Sequence, residues 1–380
     1  MDERARPRHA AAMGIHSDGF EAARLVVRLS AIAANYRSFL RVAGPAAVAA
    51  VVKADAYGLG AGEIAPSLAA AGCDSFFVAR LEEGIALRAR LPDARIFVLD
   101  GAQADSVPAL ISHRLTPCLN SLEQIAGWSA AASATHAVLD AVVHVDTGMR
   151  RLGLPPDELT ILSGEHRARL KGLNLVLVMS HLACSDEAAN PMNADQLAKF
   201  RQALAMLPPA PASLAASHGC FLGPDYHFDL VRPGVALYGA NPQSAVPNLM
   251  QTAAVLTGKV LQLRRIDRGD PVGYAATYRA KRPSMLATIA LGYADGVPRT
   301  LSSKGFAAFD GQRAPIVGRV SMDALVLDVT DLATTPNVGD VAEIIGDTMT
   351  LSDVAALAGT NEYEILTRLS RVPRHYESQT

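Results

Sequence analysis

Eight short apolar runs mark the chain between residues 46 and 239: AAVAAVVK, SFFVAR, RIFVLD, LTPCL, AVVHVD, NLVLVMSHL, SLAAS and FDLVRPGVALYG. They are rich in Val, Leu and Ala and scarcely alternate with polar residues, as expected of strands covered on both faces. Between them lie stretches with helical spacing of apolar positions, at residues 64–71, 81–91, 121–131 and 193–207. Eight strand and helix units within about 230 residues predict a closed parallel (β/α)8 barrel, although an open doubly wound sheet gives a similar pattern. Beyond residue 245 the texture changes to alternating strands with turn signals, as in AVLTGKVLQLRRIDRGDPVGY, MLATIALGYADG, APIVGRVSMDALVLDVTD and VGDVAEIIGD. The expected organisation is a tail over residues 1–20, an α/β barrel over 21–245 and a mostly β domain over 246–380. LPPAPAS near residue 207 is read as a loop.

Composition narrows the class. The 380 residues, half of them hydrophobic, suffice for two cores. With 35 basic and 37 acidic residues there is no basic field for nucleic acid or an anionic membrane, so a small neutral or zwitterionic ligand is expected. Cys73, Cys118, Cys184 and Cys220 form no C-x-x-C pair, which argues against a zinc site and a disulfide framework. The first twenty residues lack a continuous apolar segment, and no run is long enough for a membrane span, so a soluble cytoplasmic protein is expected.

Lys53 ends the first apolar run and is followed by ADAYGLGAG. A strand-end lysine ordinarily covers apolar surface with its stem while its ammonium reaches water. At the C-terminal rim of a barrel, however, a lysine can also condense with an aldehyde cofactor and handle protons. Gly58, Gly60 and Gly62 are spaced G-x-G-x-G, which does not fit a dinucleotide loop and reads better as an ordinary one. Other strand ends carry HVDTGMRRLG, SHLACSDE, AASHG and LVRPGVALYG. A pyridoxal phosphate (PLP) site needs an imine-forming lysine, phosphate donors, a partner for the ring nitrogen and a surface for the ring face. Lys53, Ser217 with the Gly234 and Val235 backbone, Arg232 and His181 supply these in turn. Alone, His181 reads as a core histidine and Arg151 or Arg232 as a structural cation; their shared position at strand ends points to the site.

VVKADAYGLGAG, VDTGMRRLG, SHLA, VRPGVALYG, GYAATY, LGYADG, GRVSMD and YEIL, in that order, resemble the motifs of the alanine racemase family of fold-type III PLP enzymes, from about Leu25 to the final RVPR. The resemblance implies a homodimer whose active sites combine one chain's barrel with its partner's β domain. It implies Lys53 and Tyr274 as the two acid/base groups, Tyr274 coming from the partner. Tyr57, Ser217, Gly234 and Val235 would hold the phosphate, Arg232 would face the ring nitrogen, and Arg151 would contact the cofactor's phenolic oxygen and the substrate. Tyr293 and Met322 would line the pocket for alanine. An arginine opposite the ring nitrogen does not readily give up a proton, which keeps the ring a restrained electron sink. The relatives that decarboxylate basic amino acids place a glutamate there.

The sequence departs from the family at three positions. His144 stands where many members carry a carbamylated lysine, Ala216 where the pattern has an asparagine, and Ser370 where some have a phosphate-binding tyrosine. A racemase of serine or a basic amino acid, and a non-enzymatic PLP carrier on the same barrel, are the competing readings. The carrier lacks a β domain with GYAATY and SMD. Supply of D-alanine for peptidoglycan and its catabolism are not distinguished.

Overall fold

The computed structural model describes residues 21–243 and 246–378; the tail expected over 1–20 lies outside them. Two compact units divide the chain: one runs from Ile32 to Gln251, and the other joins the described residues up to Ala31 with those from Thr252 on.

In the first unit the opening apolar run splits into two strands, Ala47–Val48 and Ala50–Val51. From Ala50–Val51, parallel pairing proceeds in chain order through Ser75–Val78, Arg95–Val98, Thr116–Leu119, Leu139–His144, Leu173–Met179 and Ala212–Ser213. An eighth strand, Leu230–Val231, runs parallel to Ala47–Val48. On its other side, Asp229 N–H donates to the Ala212 carbonyl at 3.0 Å and Arg232 N–H to the Ala215 carbonyl at 2.9 Å. The eighth strand thus bonds to both the seventh and the first, so the ladder closes as a barrel and the open-sheet alternative is ruled out. Every residue of Ser75–Val78 is buried, because one face meets the barrel interior and the other the surrounding helices. Inside, Phe77 stacks on Phe97 at a centroid distance of 4.6 Å, and the Arg232 guanidinium lies 5.8 Å from the Phe77 ring centre.

The helices begin where local chemistry allows. Ser121 Oγ accepts the Gln124 N–H at the start of Leu122–Thr135, which buries Trp128 and directs its Nε1 to the Asp140 carbonyl. Asn190 caps Pro191–Met206, whose first residue is a proline with no N–H to satisfy. The stretches expected at 64–71 and 81–91 appear as Ala61–Ala70 and Leu81–Arg90. Gly62, read from sequence as part of a loop, lies inside the first of these; Gly60, at φ 101°, is the residue that ends the loop.

The second unit is built around the long strand Ala254–Ile266. Its first half pairs with Ala23–Arg28 on one edge and Val341–Ile345 on the other, and its second half pairs with Ser284–Ile289. Ala23–Arg28 also runs parallel to Arg374–Glu377, with Leu25 opposite both Leu256 and Arg374. The barrel was expected to begin at residue 21. This strand instead belongs to the β unit, where Leu25 and Val27 are wholly buried. The unit is not all β: helices Leu351–Ala358 and Glu362–Arg368 start on Thr350 and Asn361 caps. The four cysteines are free thiols, and among the described residues no helix is long and apolar enough to cross a membrane.

Candidate active site

Lys53 stands just past the first strand, at the C-terminal rim of the barrel. Residues Ala54, Asp55, Ala56 and Tyr57 then all have φ between 52° and 58°, a full turn of left-handed backbone without a glycine. Each such residue costs about 1–2 kcal/mol, so the turn persists only where its surroundings hold it. Three features do so. Ala54 N–H donates to Glu83 Oε1 at 2.7 Å while Glu83 Oε2 accepts the Ala79 N–H at 2.8 Å. Asp55 Oδ1 accepts the Ala61 N–H at 2.7 Å. Gly58 and Gly60, at φ 85° and 101°, carry the chain out of the turn at no steric cost. Bonds to carboxylates contribute about 1.5–3 kcal/mol each, enough to offset much of that strain. The permissive ADAYGLG sequence is therefore a strained turn that fixes where Lys53 points. Burial, and then the Arg151 guanidinium, push the Lys53 ammonium below the ordinary lysine range, while Glu83 and Asp100 pull it back up.

A second feature lies between strands seven and eight. Ser217 Oγ accepts the N–H groups of Gly234 at 2.9 Å and Ala236 at 3.3 Å, at the start of the short 3-10 turn Val235–Tyr238. A hydroxyl oxygen that accepts twice has its own hydrogen left to donate. The Tyr57 hydroxyl adjoins this place so closely that a Cβ on Gly234 would come within 2.4 Å of it. Two hydroxyls and the 3-10 turn thus form a cradle for an anion that has no lysine in it and that only a glycine at 234 leaves open.

Arg232 is buried and donates to Ser213 Oγ and to the carbonyls of Ser180 and Leu214. Burial lowers its pKa to about 10, so it stays charged at neutral pH. Burial and the Arg232 charge in turn push His181 well below the ordinary histidine range, which keeps that ring neutral. Gln196, fully buried on Pro191–Met206, ties the neighbouring loops together. Its Nε2 donates to Thr147 Oγ1 and the His181 carbonyl, and its Oε1 accepts the Ala183 N–H. Neither Glu83 nor Gln196 is singled out from sequence, because the Glu83 bond to Ala54 and the Gln196 bonds to Thr147, His181 and Ala183 join groups that only the fold brings near.

Asp146 Oδ1 accepts the N–H groups of Gly148 and Arg150 and shapes the loop that carries Arg151. A Cβ on Gly153 would lie 2.8 Å from Asp146 N, which explains that glycine in VDTGMRRLG. His144 ends the fifth strand, and its Nδ1 lies 2.7 Å from Asn120 Oδ1, while Asn120 Nδ2 donates to the Leu99 carbonyl. With the amide oriented in this way, His144 Nδ1 is the donor and Nε2 the acceptor. Burial, followed by the Arg232 charge, lowers the His144 pKa to about 4. An unfolded histidine titrates near 6.5, so protons bind the unfolded chain first, and stability present above that pH is lost as pH falls toward 4. We expect the barrel's unfolding midpoint to drop between pH 7 and pH 5, and to drop less in His144→Gln. An equal drop in both proteins would remove His144 as a source of acid sensitivity. A neutral imidazole has no use for bicarbonate, so depleting carbon dioxide should leave enzymatic activity unchanged.

In the other unit, Tyr274, Tyr293 and Met322 are 68%, 43% and 58% exposed. Tyr274 follows Gly273 at φ 71° and precedes Ala275 and Ala276 at φ 57° and 49°, a second strained turn. Tyr293 N–H donates to the Ser321 carbonyl and Ala294 N–H to that of Met322, which joins the GYADG and SMD segments. Ser370 lies exposed on the 3-10 turn Leu369–Arg371 of the same unit.

A parallel barrel with a lysine and an anion cradle on its rim, followed by a β unit, defines a PLP-dependent barrel enzyme. Two family models extend this, alanine racemase N-terminal domain over residues 27–242 and C-terminal domain over 253–376. The chain belongs to the alanine racemase family. It is 48% identical to the catabolic alanine racemase of Agrobacterium fabrum, over 93% of this chain and 91% of that one. It is 46% identical to the alanine racemase of Rhodospirillum rubrum, over 93% and 96%. The crystal structure of the Bartonella henselae alanine racemase, which carries covalently bound pyridoxal phosphate, superposes with a TM-score of 0.90 at 42% identity, covering 94% of this chain and all of that one.

Proposed function

We propose that the chain interconverts L- and D-alanine with PLP by a two-base mechanism. The observation that carries this reading is the lysine on a strained turn, its pKa lowered by burial, on the same rim as a lysine-free anion cradle. When bound, PLP supplies an aldehyde and an electron-withdrawing ring that together acidify the α-hydrogen of an amino acid. Ser217, Tyr57 and the backbone at Gly234 and Val235 would hold its phosphate. Arg232 would face the ring nitrogen while keeping its own proton, and neutral His181 would offer a surface to the ring. Arg151 would contact the phenolic oxygen and the substrate.

Racemisation removes a proton from one face of a planar carbon and returns one to the other, and two bases on opposite faces do this simply. Lys53 Nζ serves one face and Tyr274 Oη the other. Tyr293 and Met322 narrow the pocket to a methyl side chain. In this reading the chain is a soluble cytoplasmic homodimer, and the partner's β unit supplies these last three residues. The exposure of all three on their own unit supports that assignment.

Two measurements test the proposal. Borohydride should fix the cofactor to Lys53, and an adduct mapped to Lys281 or Lys304 would overturn the site. A chiral panel should show fast racemisation of alanine; because an apolar pocket rejects an added hydroxyl by only about 10²-fold, serine should be slower yet detectable. Equal rates on serine or a basic amino acid would replace alanine as the substrate.

A further inference from the structure

The left-handed turn after Lys53 costs free energy, and the bond nearest the lysine comes from outside the turn. Ala54, the first left-handed residue, gives its N–H to Glu83 Oε1. The other oxygen of the same carboxylate accepts the N–H of Ala79 at 2.8 Å and of Arg80 at 3.2 Å, where the second strand passes into helix Leu81–Arg90. Glu83 is thus a three-way clamp between the second strand end and the backbone next to Lys53. Asp55 and the glycines act on the far end of the turn and do not replace it. A carboxylate suits the position, since all three partners are N–H donors; a glutamine would set its own N–H₂ against at least one of them.

We infer that Glu83 is a positioning residue for the proposed reaction, holding Ala54 in its left-handed conformation and so aiming Lys53 at the rim cradle. The inference rests on the assignment of Lys53 given above. Its first readout is independent of that assignment: hydrogen exchange of the peptide spanning residues 53–60, followed by mass spectrometry on the holoenzyme. Glu83→Ala should speed exchange in this peptide, lower kcat by about 10- to 100-fold, as expected of a misplaced catalytic group, and change KM much less. Glu83→Gln, which keeps one acceptor, should fall between Glu83→Ala and wild type. Glycine adopts the left-handed region freely, so adding Ala54→Gly to Glu83→Ala should restore at least half of the lost kcat on a logarithmic scale.

A residue that only supported the fold would lower the unfolding temperature in these variants, with exchange at 53–60 and kcat unchanged and no rescue by glycine. Unchanged exchange, or lost kcat that Ala54→Gly does not recover, overturns the inference. If Glu83→Ala fails to fold, the comparison of Glu83→Gln with and without Ala54→Gly decides by the same criteria. Altered exchange with a borohydride adduct away from Lys53 would instead leave the clamp standing and remove the catalytic assignment.

Discussion

Equal amounts of Lys53→Ala and Tyr274→Phe protein, each nearly inactive alone, should regain activity once their subunits exchange. Losing a general acid/base commonly costs ~10² to 10⁴ in rate, so either homodimer should be close to silent. If each site takes its lysine from one chain and its tyrosine from the partner, a mixed dimer has one complete site and one that lacks both groups. Random exchange makes about half the dimers mixed, each with one good site of two, so activity should reach about a quarter of wild type. Lys53→Ala removes the amine from the barrel rim, and Tyr274→Phe removes only a hydroxyl from an exposed ring, so neither should disturb its own unit. The check is a racemisation assay after exchange, with a pull-down on differently tagged chains to show that mixed dimers formed. A mixture that stays silent despite proven exchange would place Tyr274 in its own chain's site, or outside catalysis.

Arg232→Glu should lower the racemisation rate sharply and raise the fraction of turnovers that end in transamination. Arg232 is buried and carries a charge that does not leave at neutral pH, so a ring nitrogen placed against it would gain no proton. A glutamate there would share a proton with that nitrogen, strengthen the ring as an electron sink and allow reprotonation at the wrong carbon. The substitution also strips donors from the Ser180 and Leu214 carbonyls and from Ser213, so some loss of stability is expected. For that reason the decisive quantity is pyruvate formed per racemisation event, which does not depend on how much protein remains folded. A ratio equal to wild type would show that Arg232 does not set the electronics of the ring.

The alternating units were legible because strand and helix periodicities are local. The position of Lys53 was legible for a related reason: the end of a parallel strand is also the functional rim of a barrel. VDTGMRRLG, read as a motif, proves to be a loop in which Asp146 accepts two N–H groups and Gly153 makes room for the backbone. The sequence showed less of how the lysine is held. ADAYGLG reads as an ordinary glycine loop, whereas the structure has a left-handed turn whose first residue is held by a carboxylate 29 residues later.

By itself the sequence determined the order of elements, the change from barrel to β texture and the residue types brought to the rim, since each depends on side chains within a few positions of one another. Tertiary structure decided three further matters. It closed the ladder, through Asp229, Arg232 and Ala47, because hydrogen bonds between first and last strands leave no trace in either. It assigned Ala23–Arg28 to the β unit, because a short strand with an apolar Leu25–Val27 centre fits many sheets and only its partners at Ala254–Ile266 and Arg374–Glu377 choose one. And it shifted the chemistry of Lys53, Arg232, His181 and His144, because a pKa depends on burial and on charges that lie close in space from distant parts of the chain.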